Sequence, residues 1–263
     1  MEYMFHYMEQ RESKMNKTVV KTMEILKLFI DHERLTLQEM VELLQMPKTS
    51  VYRMAQSLVE LGFLHKTNDY YQLGLTLLSF GMLVAERLDL RQIALPIMQQ
   101  LKEDTKEAVN LVIRDGDEAI YIEKVDTSEP VRVYTKVGRR APLYAGACPR
   151  ILLTFMERDE QQRYIDRVQL VKIAKNTIVQ RDTLRDRIEQ DRKRQYTVSY
   201  SELEDYSAAI AVPIFNHEGK AAAGLSVAGP EHRFSPEAIE RMVPMLKQAA
   251  QQISTQLGFS RKG

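Results

Sequence analysis

Residues 36–73 read TLQEMVELLQMPKTSVYRMAQSLVELGFLHKTNDYYQL, and this stretch decides the architecture of the first third of the chain. Thr36 followed by Glu39 is a T-x-x-E capping box, and Leu37, Met40, Val41 and Leu44 share one face of the helix it opens. Gln45-Met46-Pro47 ends that helix, because the residue before a proline disfavours the α region. Lys48 to Leu61 predicts a second helix with Val51, Met54, Ala55, Leu58 and Leu61 inward and Gly62 as its C-cap. Phe63–Lys66, Thr67-Asn68-Asp69 and Tyr70–Leu73 then read as strand, turn and strand. Helix, turn, helix and ribbon is the order of a winged helix-turn-helix, which lays its second helix in a DNA major groove.

That second helix begins with Lys48, Thr49, Ser50, Tyr52 and Arg53, side chains suited to phosphates and base edges. Lys66 and Asn68 sit where a wing would touch the DNA backbone. A merely solvated helix start uses similar residues; the turn before it and the ribbon after it favour the DNA reading. Bulk charge gives no help. The chain has 37 Lys+Arg against 36 Asp+Glu, and residues 1–95 hold 11 and 12. Affinity must come from local placement and from paired copies.

With 263 residues, two domains are expected. The start shows no signal-peptide h-region, no apolar run reaches membrane-spanning length, and the single Cys148 fits a reducing cytoplasm. Residues 1–15 read as a tail, 16–74 as the DNA-binding domain and 75–95 as an apolar linker helix ending at Pro96. Residues 96–263 read as a separate α+β domain, its antiparallel sheet flanked by helices. Strands are expected at Ala108–Arg114, Ala119–Val125, Val131–Lys136, Thr197–Tyr200, Ser207–Phe215 and Ala221–Ala228. Helices are expected near Met98–Thr105, Arg150–Met156, Glu160–Arg167, Val179–Arg194 and Pro236–Gln256.

In this second domain, small residues at Gly146, Ala147 and Cys148 let a ligand approach the backbone, and Pro149 suits the first position of the following helix. Free amides at a helix start make a seat for a carboxylate or phosphate; a tight loop packed for its own sake explains the same residues equally well. Cys148 as a nucleophile would need a base, and none of the five histidines stands in a partner motif, so a pocket or core role is the better reading. No cofactor is implied, and one cysteine without a paired-histidine motif argues against a zinc site. Ser199, Glu202 and Ser226 are polar groups at strand ends that could meet at a pocket mouth.

Together these segments resemble the IclR family of bacterial transcription regulators over nearly the whole chain from Lys17. The motifs are V-V-K-T-M-E-I-L at 19–26, K-T-S-V-Y-R at 48–53, L-V-E-L-G-F-L at 58–64 and Y-Q-L-G at 71–74. R-R-A-P-L-Y-A-G-A at 139–147, I-A-V-P-I at 210–214 and L-S-V-A-G-P at 225–230 complete the set. The resemblance implies a winged helix-turn-helix, a linker helix and a GAF-like effector domain. It further implies dimers or tetramers on a palindromic operator, acting as repressor or activator, with a carboxylate or aromatic acid as effector. By position, the effector site falls on Gly146, Ala147, Cys148, Ser199 and Ser226. Pro149-Arg150 replaces a common Gly-Lys, Tyr206 a common glycine and Ala228 a common serine, which predicts a pocket either reshaped or empty. The rival readings are a C-terminal domain that only oligomerises, and an enzyme built on Cys148.

Overall fold

The computed structural model describes residues 16–86, 89–130, 132–133 and 135–260, which divide into two compact units, 1–87 and 88–263. The first unit opens with α1 (Lys17–Leu28), capped by the Asn16 side chain. Short β1 (Leu35–Thr36) leads to α2 (Leu37–Leu44), and the Thr36/Glu39 capping box forms in both directions. Gln45 closes α2 in the left-handed region, and α3 (Lys48–Glu60) starts directly after Pro47. Gly62, at φ +74°, turns the chain into β2 (Leu64–Thr67) and β3 (Tyr70–Leu73). The ribbon is three-stranded rather than two, because β1 pairs with β3 on the side away from β2. Ile25, Met40, Val51, Ala55, Leu58, Leu64 and Tyr71 are its buried core, the inward faces expected from helical and strand periodicity. The unit ends in α4 (Leu75–Glu86).

The second unit starts with α5 (Asp89–Thr105), which runs through Pro96 instead of breaking there. A proline inside a helix costs roughly 3 kcal/mol. The burial of Ala94, Met98 and Leu101 on one α5 stripe, on both sides of Pro96, outweighs that local cost. The sheet has the order β6-β5-β4-β9-β8-β7, antiparallel throughout. Its strands are β4 (Ala108–Asp115), β5 (Glu118–Val125), β6 (Arg140–Pro142), β7 (Thr197–Tyr200), β8 (Ser207–Phe215) and β9 (Ala221–Pro230). The strand expected over 131–136 does not form at its described residues, while 131 and 134 lie outside them; β6 takes that sheet edge instead.

Alternation along each strand sorts two faces. Val109, Leu111, Ile210, Val212, Leu225 and Val227 pack with α5 and α9 (Pro236–Gln256). The opposite face carries α6 (Ala147–Thr154), α7 (Arg158–Arg167) and α8 (Arg181–Arg194). Helix α6 begins at Ala147, so Pro149 stands at the third helical position, where its missing N–H still costs no hydrogen bond. Gly224 in β9 is required there: a Cβ would lie 2.7 Å from Ile151 Cγ2. Among the described residues, no helix is long and apolar enough to cross a membrane.

Candidate DNA interface and effector pocket

Lys48, Thr49, Ser50, Tyr52 and Arg53 are exposed along the first turns of α3, while Val51 and Ala55 anchor the opposite face. Lys66 and Asn68 are exposed on the ribbon, and Asn68 takes the left-handed conformation at its tip. Asparagine tolerates that region because its side chain bonds locally. The structure adds residues that reading α3 alone missed. Thr18, Lys21 and Thr22, one turn apart on α1, line a groove with Ser50, Arg53 and Ser57. Their spacing was visible in the sequence, but only the α1–α3 packing puts them beside the recognition residues.

In the second unit, Gly146 and Ala147 are buried at the start of α6, and two of the amides expected to be open are already engaged. Gly146 N–H donates to Glu202 Oε2 at 3.2 Å, and Ala147 N–H donates to Ser199 Oγ at 2.9 Å. Thr197 Oγ1 donates to the Ala147 carbonyl at 2.8 Å, so β7 holds Ala147 through both its N–H and its carbonyl. The chain's own acceptors therefore occupy most of the anion seat.

Glu202 is held from behind by Arg150, which is fully buried. The Arg150 guanidinium also donates to Asp191 at 2.9 Å and to the Val198 carbonyl at 2.7 Å. Burial works against its charge, but the carboxylates of Glu202 and Asp191 outweigh burial and keep it protonated. The role of Arg150 is thus structural, since only a guanidinium reaches three acceptors in a plane.

Cys148 is buried, its Sγ donating to the Gly224 carbonyl at 3.6 Å with Ser226 as a side-chain partner. Burial pushes its thiol up to about 12, although the Ser226 bond acts the other way, so no thiolate nucleophile exists at neutral pH. Ser199 and Ser226 both face α6, but Ser199 lies on β7 and Ser226 on β9, with β8 between them. They line one face of the sheet rather than a single point. Tyr206 corrects one expectation: it is 82% exposed and points out of the domain, so it does not reshape the interior. Its φ of +60° is the backbone conformation that favours glycine. Ala228, by contrast, lies on the α6-facing side of β9, opposite Ala108 and Ala209.

Comparison with known proteins agrees with both units. Residues 18–67 match the IclR helix-turn-helix domain, and residues 82–255 match the bacterial transcriptional regulator IclR C-terminal model. The HTH-type transcriptional regulator KipR of Bacillus subtilis is 50% identical over 93% of this chain and 98% of its own length. The crystal structure of the Thermotoga maritima IclR is 31% identical, covers 92% of this chain and 99% of its own, and superposes with a TM-score of 0.76. An IclR homolog from Microbacterium hydrocarbonoxydans, complexed with 4-hydroxybenzoate, is 23% identical, covers 92% of this chain and 99% of its own, and shares the fold at a TM-score of 0.80. This protein is a transcriptional regulator with a helix-turn-helix, and it belongs to the IclR family.

Proposed function

We propose that this regulator binds a palindromic DNA operator as a dimer or tetramer, and that a small organic acid bound in the second unit modulates that affinity. One observation carries the reading: the exposed Lys48–Arg53 surface belongs to one compact unit, while a buried polar face at the start of α6 belongs to another. A regulator needs that separation, with one site for DNA and another for a signal. The complex of the Microbacterium homolog with 4-hydroxybenzoate supports an aromatic or related acid as the class of effector. On this chain's α6-facing side, Lys124 is a largely buried cation, its Nζ 2.8 Å from Asp126. Lys124 already pairs with Asp126, and the amides at the start of α6 with Glu202 and Ser199, so an incoming acid competes with these partners for the positive charge of this face.

Helix α4 supplies the basis for assembly. Leu75, Leu78, Phe80, Met82 and Leu83 are exposed there, at between 44% and 81%, on several sides of the helix, and this much exposed apolar surface on one element marks an interface.

The test is an operator titration with and without benzoate, 4-hydroxybenzoate and short-chain acids, on wild type and on Ala228→Leu. A large group at position 147 is unsuitable, because Ala147 is fully enclosed and would disrupt the fold. Ala228 retains 8% exposure and tolerates filling better. An effector should change operator affinity at least about fivefold in wild type, and Ala228→Leu should lose the response while keeping operator affinity. A variant responding like wild type would remove this face from the effector site.

A further inference from the structure

We propose that Asn110 selects the effector by accepting a hydrogen bond from a hydroxyl group, so that the ligand is a hydroxy acid rather than a simple acid. The inference rests on the effector reading above and narrows it.

Asn110 lies on β4, where its register partners are Ser226 on β9 and Lys124 on β5. Directly opposed residues of antiparallel strands share a face. Asn110 therefore faces α6, between a serine that touches Cys148 and the half-buried Lys124. Its side chain is 2% exposed, and Oδ1 has no hydrogen-bond partner. Every other polar side chain named for this face is engaged. Ser226 is taken by Cys148, Ser199 by the Ala147 amide, Thr197 by the Ala147 carbonyl and Glu202 by Arg150 and Gly146.

Its neighbours along the sheet are small. The neighbouring rung of the sheet is Ala108, Ala228, Ala209 and Ser199, three methyl groups and a hydroxyl. Ala209 is only half-buried although its strand is internal. A buried amide oxygen without a partner costs free energy, and such groups persist where a guest supplies the missing bond. The orphan atom is an acceptor, so the guest must bring a donor. A carboxylate cannot do that; a hydroxyl can.

The experiment compares wild type with Asn110→Leu, a replacement of similar volume that has no acceptor. Without ligand, Asn110→Leu should unfold about 2–4 °C above wild type, because it removes a buried unsatisfied group. A midpoint below that of wild type overturns the proposal, since it shows Asn110 bonded within the fold. Operator titrations then use matched probes, propionate with lactate and benzoate with 4-hydroxybenzoate. Wild type should respond to the hydroxylated member of a pair at roughly tenfold lower concentration, about 1.4 kcal/mol. Asn110→Leu should respond equally to both members. Equal response by wild type overturns the role of Asn110 alone, and so does a preference retained by the variant. If no probe changes operator binding by wild type, the effector reading fails and the selectivity of Asn110 fails with it.

Discussion

The carboxylate of Glu202 accepts the amide hydrogen of Gly146 at 3.2 Å, from a residue 56 positions earlier in the chain. An internal anion thus stands at the helix end where an incoming acid would be drawn. Glu202→Gln keeps an acceptor for Gly146 but removes the charge that repels a guest anion. Acids should then alter operator binding at several-fold lower concentration, measured as the shift in the half-effect point. A half-effect point unchanged or higher would separate Glu202 from the ligand.

Arg150 holds that carboxylate in place, together with Asp191. Arg150→Ala leaves the buried Glu202 carboxylate without its cation and Asp191 with Arg194 alone, and breaking such a buried pair costs about 3–5 kcal/mol. Arg150→Lys restores charge but not the three-way fork, so it should fall between wild type and alanine in denaturant unfolding. Equal stability of the lysine variant and wild type would refute the geometric argument.

At the DNA surface, Arg53→Ala should weaken operator binding by about 1–3 kcal/mol and relax specificity at one base pair if Arg53 reads a base. Lys21→Ala, in the same groove but on α1, should weaken binding evenly across sequences and reduce the salt slope by about one. Fluorescence titrations over a range of salt concentrations separate the two. A lysine variant with an unchanged slope has lost no phosphate contact.

The exposed apolar face of α4 predicts that the protein is not a monomer. Light scattering at micromolar concentration should give at least twice the 30.5 kDa of one chain. Leu78→Glu, at a position 61% exposed, should shift the distribution toward single chains with little effect on the fold of either unit. A wild-type mass of one chain refutes the interface.

Tyr206 occupies a left-handed position and is exposed. A non-glycine residue there costs about 1–2 kcal/mol, while glycine costs about 0.5–1 kcal/mol through the unfolded chain. The first effect is the larger, so Tyr206→Gly should stabilise the protein by up to about 1 kcal/mol. Thermal unfolding reads the change, and a lowered midpoint would mean the ring makes a contact worth keeping.

The winged unit was legible almost residue by residue. Its capping box, the stop at Pro47 and the Gly62 turn are local events, decided by backbone sterics and by partners within a few positions. The missed strand β1 pairs Leu35 with Tyr71, a partner 36 residues away that no local pattern names. The second unit was less legible for the same reason. Periodicity found five of its six strands but placed the remaining one on 131–136, where β-branched residues suggest a strand that the sheet does not use. Pro96 read as a stop because local cost was weighed without the packed stripe that overrides it.

The sequence by itself determined the kind of protein. Its helix-turn-helix order, its apolar linker and its family motifs all depend on short-range spacing, which survives in one dimension. Only the tertiary structure decided the state of the effector face. There Glu202 fills the seat of Gly146, Arg150 is buried behind it, and Asn110 is left with an acceptor and no donor. Which polar groups satisfy one another depends on strand register across β4, β9, β8 and β7, and hydrogen bonds end within about 3 Å, a distance sequence separation does not measure.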